Sequence, residues 1–141
     1  MLQIAPGVKV YLACRPVDMR RGFNGLSADV ARVLEADPFC GAVFVFRGKR
    51  GDYVKILTWD GSGLCLFAKR LEKGKFVWPP IVDGALQLTA AQLALLIEGR
   101  QDGRASIERA PVVRLKSSDC RRFELRRCAF CDRYRHVVDA D

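Results

Sequence analysis

The stretch from Ala42 to Trp78 reads AVFVFRGKRGDYVKILTWDGSGLCLFAKRLEKGKFVW. Apolar residues fill Ala42–Phe46, Tyr53–Trp59, Leu64–Leu71 and Phe76–Trp78, and Gly48, Gly51, Gly61, Gly63 and Gly74 punctuate the short segments between them. That is the pattern of strands joined by tight turns. An up-and-down antiparallel meander puts the first and third turns at one end of the sheet and the second at the other. The first end then carries Arg47, Lys49, Arg50, Lys69, Arg70, Lys73 and Lys75, with only Asp52 and Glu72 beside them, while the Asp60, Gly61, Ser62, Gly63 end has no cation. Cations gathered at one end of a rigid sheet point to a polyanionic partner, of which nucleic acid is the commonest. The plainer use of such lysines is protection of sheet edges against aggregation.

Working outward, Val8–Cys14 reads as a first strand after Pro6 and Gly7. Phe23, Leu26, Val30, Val33 and Leu34 recur at three- and four-residue spacing and predict a helix over Phe23–Ala36, ended by Asp37 and Pro38. Between strand and helix lie Asp18, Met19, Arg20, Arg21 and Gly22. Asp18 suits a helix cap. Cations in a first helical turn oppose the macrodipole, so Arg20 and Arg21 are expected to have another use, and phosphate contact stands beside plain solvation. On the other side, Pro79 and Pro80 stop the meander, Ala85–Leu88 offers a further short strand, and Thr89 with Gln92 matches a capping box. Leu93, Leu96 and Ile97 form the apolar stripe of this second helix, and Gly99 its stop. The expected class is α+β: an antiparallel meander sheet of about four to six strands with two helices packed on it, followed by an irregular C-terminal tail.

The chain has 141 residues, half of them hydrophobic, enough for one domain with an ordinary core. Its net charge of +8 divides evenly: thirteen Lys and Arg against nine Asp and Glu in residues 1–99, eleven against seven beyond. No apolar run approaches the roughly 20 residues of a spanning helix. The start, MLQIAPGVKVYLACR, lacks the character of a signal peptide, so a cytoplasmic protein is expected. Cys14, Cys40 and Cys65 sit among apolar neighbours, which fits a reducing compartment, and Cys14 and Cys65 read as small buried hydrophobes. Residues 100–141 carry ten arginines and one lysine and show little apolar periodicity.

Chemistry finds little to work with. The single histidine, His136, lies in the tail, and Asp18, Asp52, Asp60 and Asp83 fall at turns or caps where such residues are structurally ordinary. Their convergence on magnesium is neither favoured nor barred by sequence. Cys120, Cys128, Cys131 and His136 could supply zinc ligands, but only Cys128 and Cys131 have knuckle spacing, and no metal or cofactor is expected. The Arg47–Asp52 turn is not followed by a helix, so it is no phosphate-binding P-loop. Trp59, Trp78, Phe67, Tyr53 and Phe76 could stack on unpaired bases, although large residues on one face of a sheet are ordinarily core.

The run DMRRGFNGL at 18–26, the stretch DPFCGAVFVFRGKRGDYVKILTWDGSGLCLFAKRLEKGKFVWP, and LTAAQLALLIEG ending at Gly99 together resemble the insertion sequence 66 family accessory protein TnpB, or Orf-2-like, which is unrelated to the RNA-guided nuclease of the same label. The resemblance spans about residues 5–99. It implies a non-catalytic helper for transposition of a bacterial mobile element whose strand transfer is done by a separate transposase. Asp18, Arg20, Arg21, Gly22, Phe23, Arg47, Gly48, Asp52, Trp59, Asp60, Gly61, Lys69, Arg70 and Trp78 are the family-like positions, and the resemblance supplies no catalytic residue. The sequence departs from it after Gly99, as a shifted reading frame would produce, which divides the chain into an accessory domain, 1–99, and an Arg-rich tail expected to be disordered or divergent, 100–141.

The expectation is therefore an accessory protein for transposition that contacts DNA at the element ends through Arg20, Arg21, Arg47, Lys49, Arg50, Lys69, Arg70, Lys73 and Lys75. The element's transposase and other accessory protein are expected partners, with no membrane and no small-molecule substrate. The alternative is a protein adaptor that binds the transposase without touching DNA.

Overall fold

The computed structural model describes residues 4, 7–32, 34–79, 85–99 and 110–113. Along the chain these form β1 (Val10–Ala13), α1 (Phe23–Arg32), β2 (Val43–Arg47), β3 (Tyr53–Trp59), β4 (Leu64–Arg70), β5 (Ala85–Leu88), α2 (Ala90–Glu98) and β6 (Val112–Val113). The strands make one six-stranded sheet in the order β4-β3-β2-β1-β5-β6. The expected α+β class holds, and β2, β3 and β4 are the expected meander, with Val43 opposite Thr58 and Tyr53 opposite Arg70.

Two features depart from a simple meander. β1 runs parallel to β2, with Val10 opposite Val43, and α1 is the connection between them. Parallel neighbours need a crossover, and the helix provides it. Phe76–Trp78, expected as a strand, forms no ladder. Instead the Phe76 N–H donates to the Gly51 carbonyl at 2.9 Å, and Trp78 Nε1–H donates to the same oxygen at 2.9 Å. Phe76 thereby enters the core beneath α2 rather than adding to the edge of β4, and Pro79, lacking an N–H, could not have extended a ladder.

The two helices cover opposite faces. Val10, Leu12, Val43, Val45, Val54 and Ile56 face Leu93 and Leu96 of α2; the alternate residues Tyr11, Ala13, Phe44, Phe46 and Leu57 face Leu26 and Val30 of α1. Strands buried on both faces have no polar alternation, which accounts for the unbroken VFVF of β2. The capping box of α2 is present as expected, with Gln92 N–H donating to Thr89 Oγ1 and Thr89 N–H to Gln92 Oε1, and Gly99 closes the helix in the left-handed conformation at φ 71°. On α1, Leu26 and Val30 are buried as the periodicity predicts; the helix ends at Arg32 rather than at Ala36, so Leu34, also buried, lies just beyond it, and Phe23 is 48% exposed at its head. Val33 lies outside the described residues.

The sheet continues past Gly99. Val112 and Val113 pair with Leu86 and Ala85, and Ala110 is buried in the core under α2. Val113's neighbours from 114 onward, with Cys120, Cys128, Cys131 and His136, lie outside the described residues. No helix among the described residues is long and apolar enough to cross a membrane.

Candidate nucleic-acid interface

The strand pairings bring three basic segments to one end of the sheet. β2 ends at Arg47, β3 starts opposite it, and β4 returns to finish at Arg70 across from Tyr53. The chain beyond β4 then folds over the β2–β3 turn: Leu71 N–H donates to the Asp52 carbonyl at 2.8 Å, and the Lys75 stem packs over Gly51, where φ is +78°. Because β1 is parallel to β2, the loop that carries Asp18–Gly22 leaves the sheet at the same end, and Val17 N–H donates to the Arg47 carbonyl at 2.9 Å. The Asp60 turn stands at the far end, where Asp60 accepts from the N–H groups of Ser62 and Gly63; these bonds hold its carboxyl down to about 2.

Of the nine cations expected to meet DNA, five are exposed on this rim: Lys49, Arg50, Arg70, Lys73 and Lys75. None of them enters an ion pair among the described residues. The other four have partners within the fold. Lys69 faces the α2 side and its ammonium donates to the Ile97 carbonyl at 2.8 Å, closing the C-terminal end of that helix, where cations are favoured. Arg47 lies half-buried with its guanidinium 5.1 Å from the centre of the Trp78 ring, and burial lowers its pKa. Among the described residues its Nε has no hydrogen-bond partner. Arg20 grips Asp18 through both carboxylate oxygens, Nη2 to Oδ2 at 2.9 Å and Nε to Oδ1 at 3.1 Å, while remaining 91% exposed. That side-chain bond, with the Arg20 N–H to Oδ1, holds the Asp18 carboxyl down to about 2. Arg21 reaches into the fold and pairs with Asp29 at 3.2 Å.

Arg20 and Arg21 stand in the turn before α1 rather than in its first turn. The first intrahelical bond runs from Leu26 N–H to Gly22 O, and Asp18 caps the preceding turn. The α1 macrodipole therefore does not weigh against them as first-turn cations. What fixes the loop instead is Lys55, a buried lysine of β3 whose ammonium donates to the Arg21 carbonyl at 2.8 Å, and Asp29, a buried carboxylate of α1 whose Oδ1 faces Arg21 and Arg32. Burial raises the Asp29 pKa. Sequence reasoning passed over both; the available signal was an acid on the apolar stripe, between Leu26 and Val30, and a lysine inside a strand otherwise apolar at its centre.

Between the β1–α1 loop and the β2–β3 turn lies a cleft of about 640 Å³, lined by Pro16–Arg20, Gly48–Arg50, Asp52, Tyr53 and Arg70. Met19 lies against Gly48 between its two walls, for a Cβ on Gly48 would stand 2.7 Å from Met19 Cγ. The larger aromatic residues are used internally: Trp59 packs edge-on against Phe39 at 5.3 Å, and Trp78 against Phe76 at 5.6 Å. Cys14 is buried as expected, whereas Cys65 is exposed, its thiol donating to Asp60 Oδ2 at 3.5 Å. The described residues bring no three His, Cys, Asp or Glu side chains together in a metal-binding group.

The model of the IS66 Orf2 like protein family matches residues 8–106. Two proteins of Sinorhizobium fredii, each described only as uncharacterized, are similar to the chain. The protein y4jC is 46% identical over 114 residues, 81% of this chain and 96% of its own length. The protein y4hO is 44% identical over 99 residues, 70% of this chain and 86% of its own. A match of 114 residues cannot fit inside the first 99, so likeness to y4jC runs beyond Gly99, in keeping with the pairing of β6. No solved structure matches. The chain belongs to the IS66 Orf2-like family, the accessory proteins of an insertion sequence.

Proposed function

We propose that the protein binds the DNA of its own element, at or near the element ends, through phosphate contacts along the basic rim, and so assists the element's transposase. The observation that carries this reading is the convergence of Lys49, Arg50, Arg70, Lys73 and Lys75, from two separate segments, on one end of a rigid sheet. Among the described residues Asp52, Glu72 and the Arg20-paired Asp18 are the acids beside them, and exposed cations that enter no ion pair there are free to replace the counterions of a phosphate backbone. Arg20 can join them by exchanging the Asp18 carboxylate for a phosphate.

Mobility-shift titrations on element-end DNA at several salt concentrations test the proposal. Neutralising about five phosphates gives a slope of log affinity against log salt near −4.5. The variant K49A/R50A/R70A/K73A/K75A should lose most of that slope. A flat salt dependence of the wild-type protein, or retention of the transposase in nuclease-treated lysate together with no shift of any DNA, would overturn the DNA reading in favour of an adaptor that meets acidic protein surface.

A further inference from the structure

Resting on that reading, we infer that the cleft beside the rim takes an unpaired nucleotide, so that the protein prefers single-stranded or frayed DNA ends to intact duplex. The rim cations alone would suit either, since the backbone of a duplex can lie along an exposed ridge of lysines and arginines. A concave site is different. At about 640 Å³ the cleft falls within the roughly 300–1,000 Å³ span of sites that enclose ligand-sized molecules. A stacked base pair offers nothing that could enter it, whereas a splayed nucleotide does.

The lining matches the parts of a nucleotide. Met19 and the ring of Tyr53 give an apolar wall suited to a base, and Arg50 and Arg70 stand at the same cleft for its phosphate. Arg70 is the cross-strand partner of Tyr53, so the cation and the ring are held side by side by the sheet itself. Asp52 also lines the cleft. A carboxylate weakens a site meant for phosphate alone, but it can accept from an N–H on the Watson–Crick edge of a base, which only an unpaired base leaves free. The cleft is preformed, because the approach of Met19 to Gly48 locks its two walls together and Lys55 pins the loop behind them. A second ring, the exposed Phe23, stands where α1 begins at this end of the sheet and offers a platform to a neighbouring base.

Fluorescence anisotropy of the full chain with three labelled probes tests this: a single-stranded oligonucleotide, the blunt duplex of the same sequence, and that duplex with a three-nucleotide overhang. Stacking one base on an aromatic side chain predicts that the single strand and the overhang bind about five-fold or more tighter than the blunt duplex. Tyr53→Leu should bring the three affinities together, and Tyr53→Phe, which keeps the ring, should preserve the preference and shows that the site still folds. Equal binding of all three probes by the wild-type protein, or a preference that survives Tyr53→Leu, would overturn the inference while leaving phosphate binding at the rim intact. Binding to none of the probes would overturn both.

Discussion

Gly48→Ala tests the contact that shapes the cleft. The added methyl would stand 2.7 Å from Met19 Cγ, and 3.9 Å from Tyr53 Cβ, which is ordinary contact. Carbon atoms rest at about 3.5–4.0 Å, so roughly 1 Å must open between the β2–β3 turn and the β1–α1 loop. Overpacking of this kind costs about 1–3 kcal/mol. Gly48 is not among the glycines with positive φ, so alanine meets no backbone strain there and should recover about 0.4–1 kcal/mol by restricting the unfolded chain. The net expectation is a loss of about 0.5–2 kcal/mol in urea unfolding. The same substitution made on a Met19→Ala background removes the obstacle and should become stabilising, by about 0.4–1 kcal/mol. The reversal of sign between the two backgrounds is the decisive result, and the cycle isolates a coupling of about 1–3 kcal/mol. Gly48→Ala with the same effect in both backgrounds would show that Met19 does not lie against the turn, and the walls of the cleft would no longer be tied together.

Lys69→Gln should lower stability by about 1–2 kcal/mol in urea melts, because it removes a charged donor from the end of α2. The same variant should leave the salt slope for DNA nearly unchanged, while Arg70→Gln should lower it by about 1; the opposite order would mean that the sheet faces of the two residues are misassigned. The Asp18 carboxyl, depressed to about 2, is charged in the fold at any pH above that, so the stability it contributes is complete above its ordinary value of 3.8 and is lost as pH falls through about 2. Carboxyl-carbon NMR should place its midpoint near 2, and Arg20→Gln should move that midpoint part of the way back toward 3.8, since the backbone N–H of residue 20 remains. A midpoint indifferent to Arg20→Gln would remove the ion pair from the account of the loop.

Much of this architecture was legible in the residues. The glycine-punctuated strands of the meander, the capping box at Thr89 and Gln92, and the sharing of one rim by the two basic turns follow from local chemistry, because tight turns fix the direction of the next strand. Phe76–Trp78 was not legible. Its aromatic and β-branched residues have strand propensity, but the carbonyl of Gly51 captured both its backbone and its indole donor, a choice made by tertiary packing. Which cations stay free was legible in part. Lys69 and Arg70 are adjacent in a strand and must face opposite sides, yet only the placement of α2 by β5 decides that Lys69 meets the Ile97 carbonyl.

The parallel pairing of β1 with β2 matters most, and it had a signal. An unbroken apolar run such as VFVF, following a strand and a helix, marks a strand buried on both faces in a strand–helix–strand unit. Had β1 joined β2 in antiparallel fashion, its last residue would lie beside the first residue of β2, and Asp18–Gly22 would leave the sheet at the Asp60 end. The cations there would then have stood apart from those of the two turns. With the strands parallel, both carboxyl ends open toward the same side, the β1–α1 loop and the β2–β3 turn become the two walls of one cleft, and Arg20 comes to stand with Lys49, Arg50 and Arg70 around it. The handful of residues in β1 therefore decides more about the proposed interface than any cation does: a charge can be replaced by its neighbour on the rim, but the direction of that strand creates the cleft.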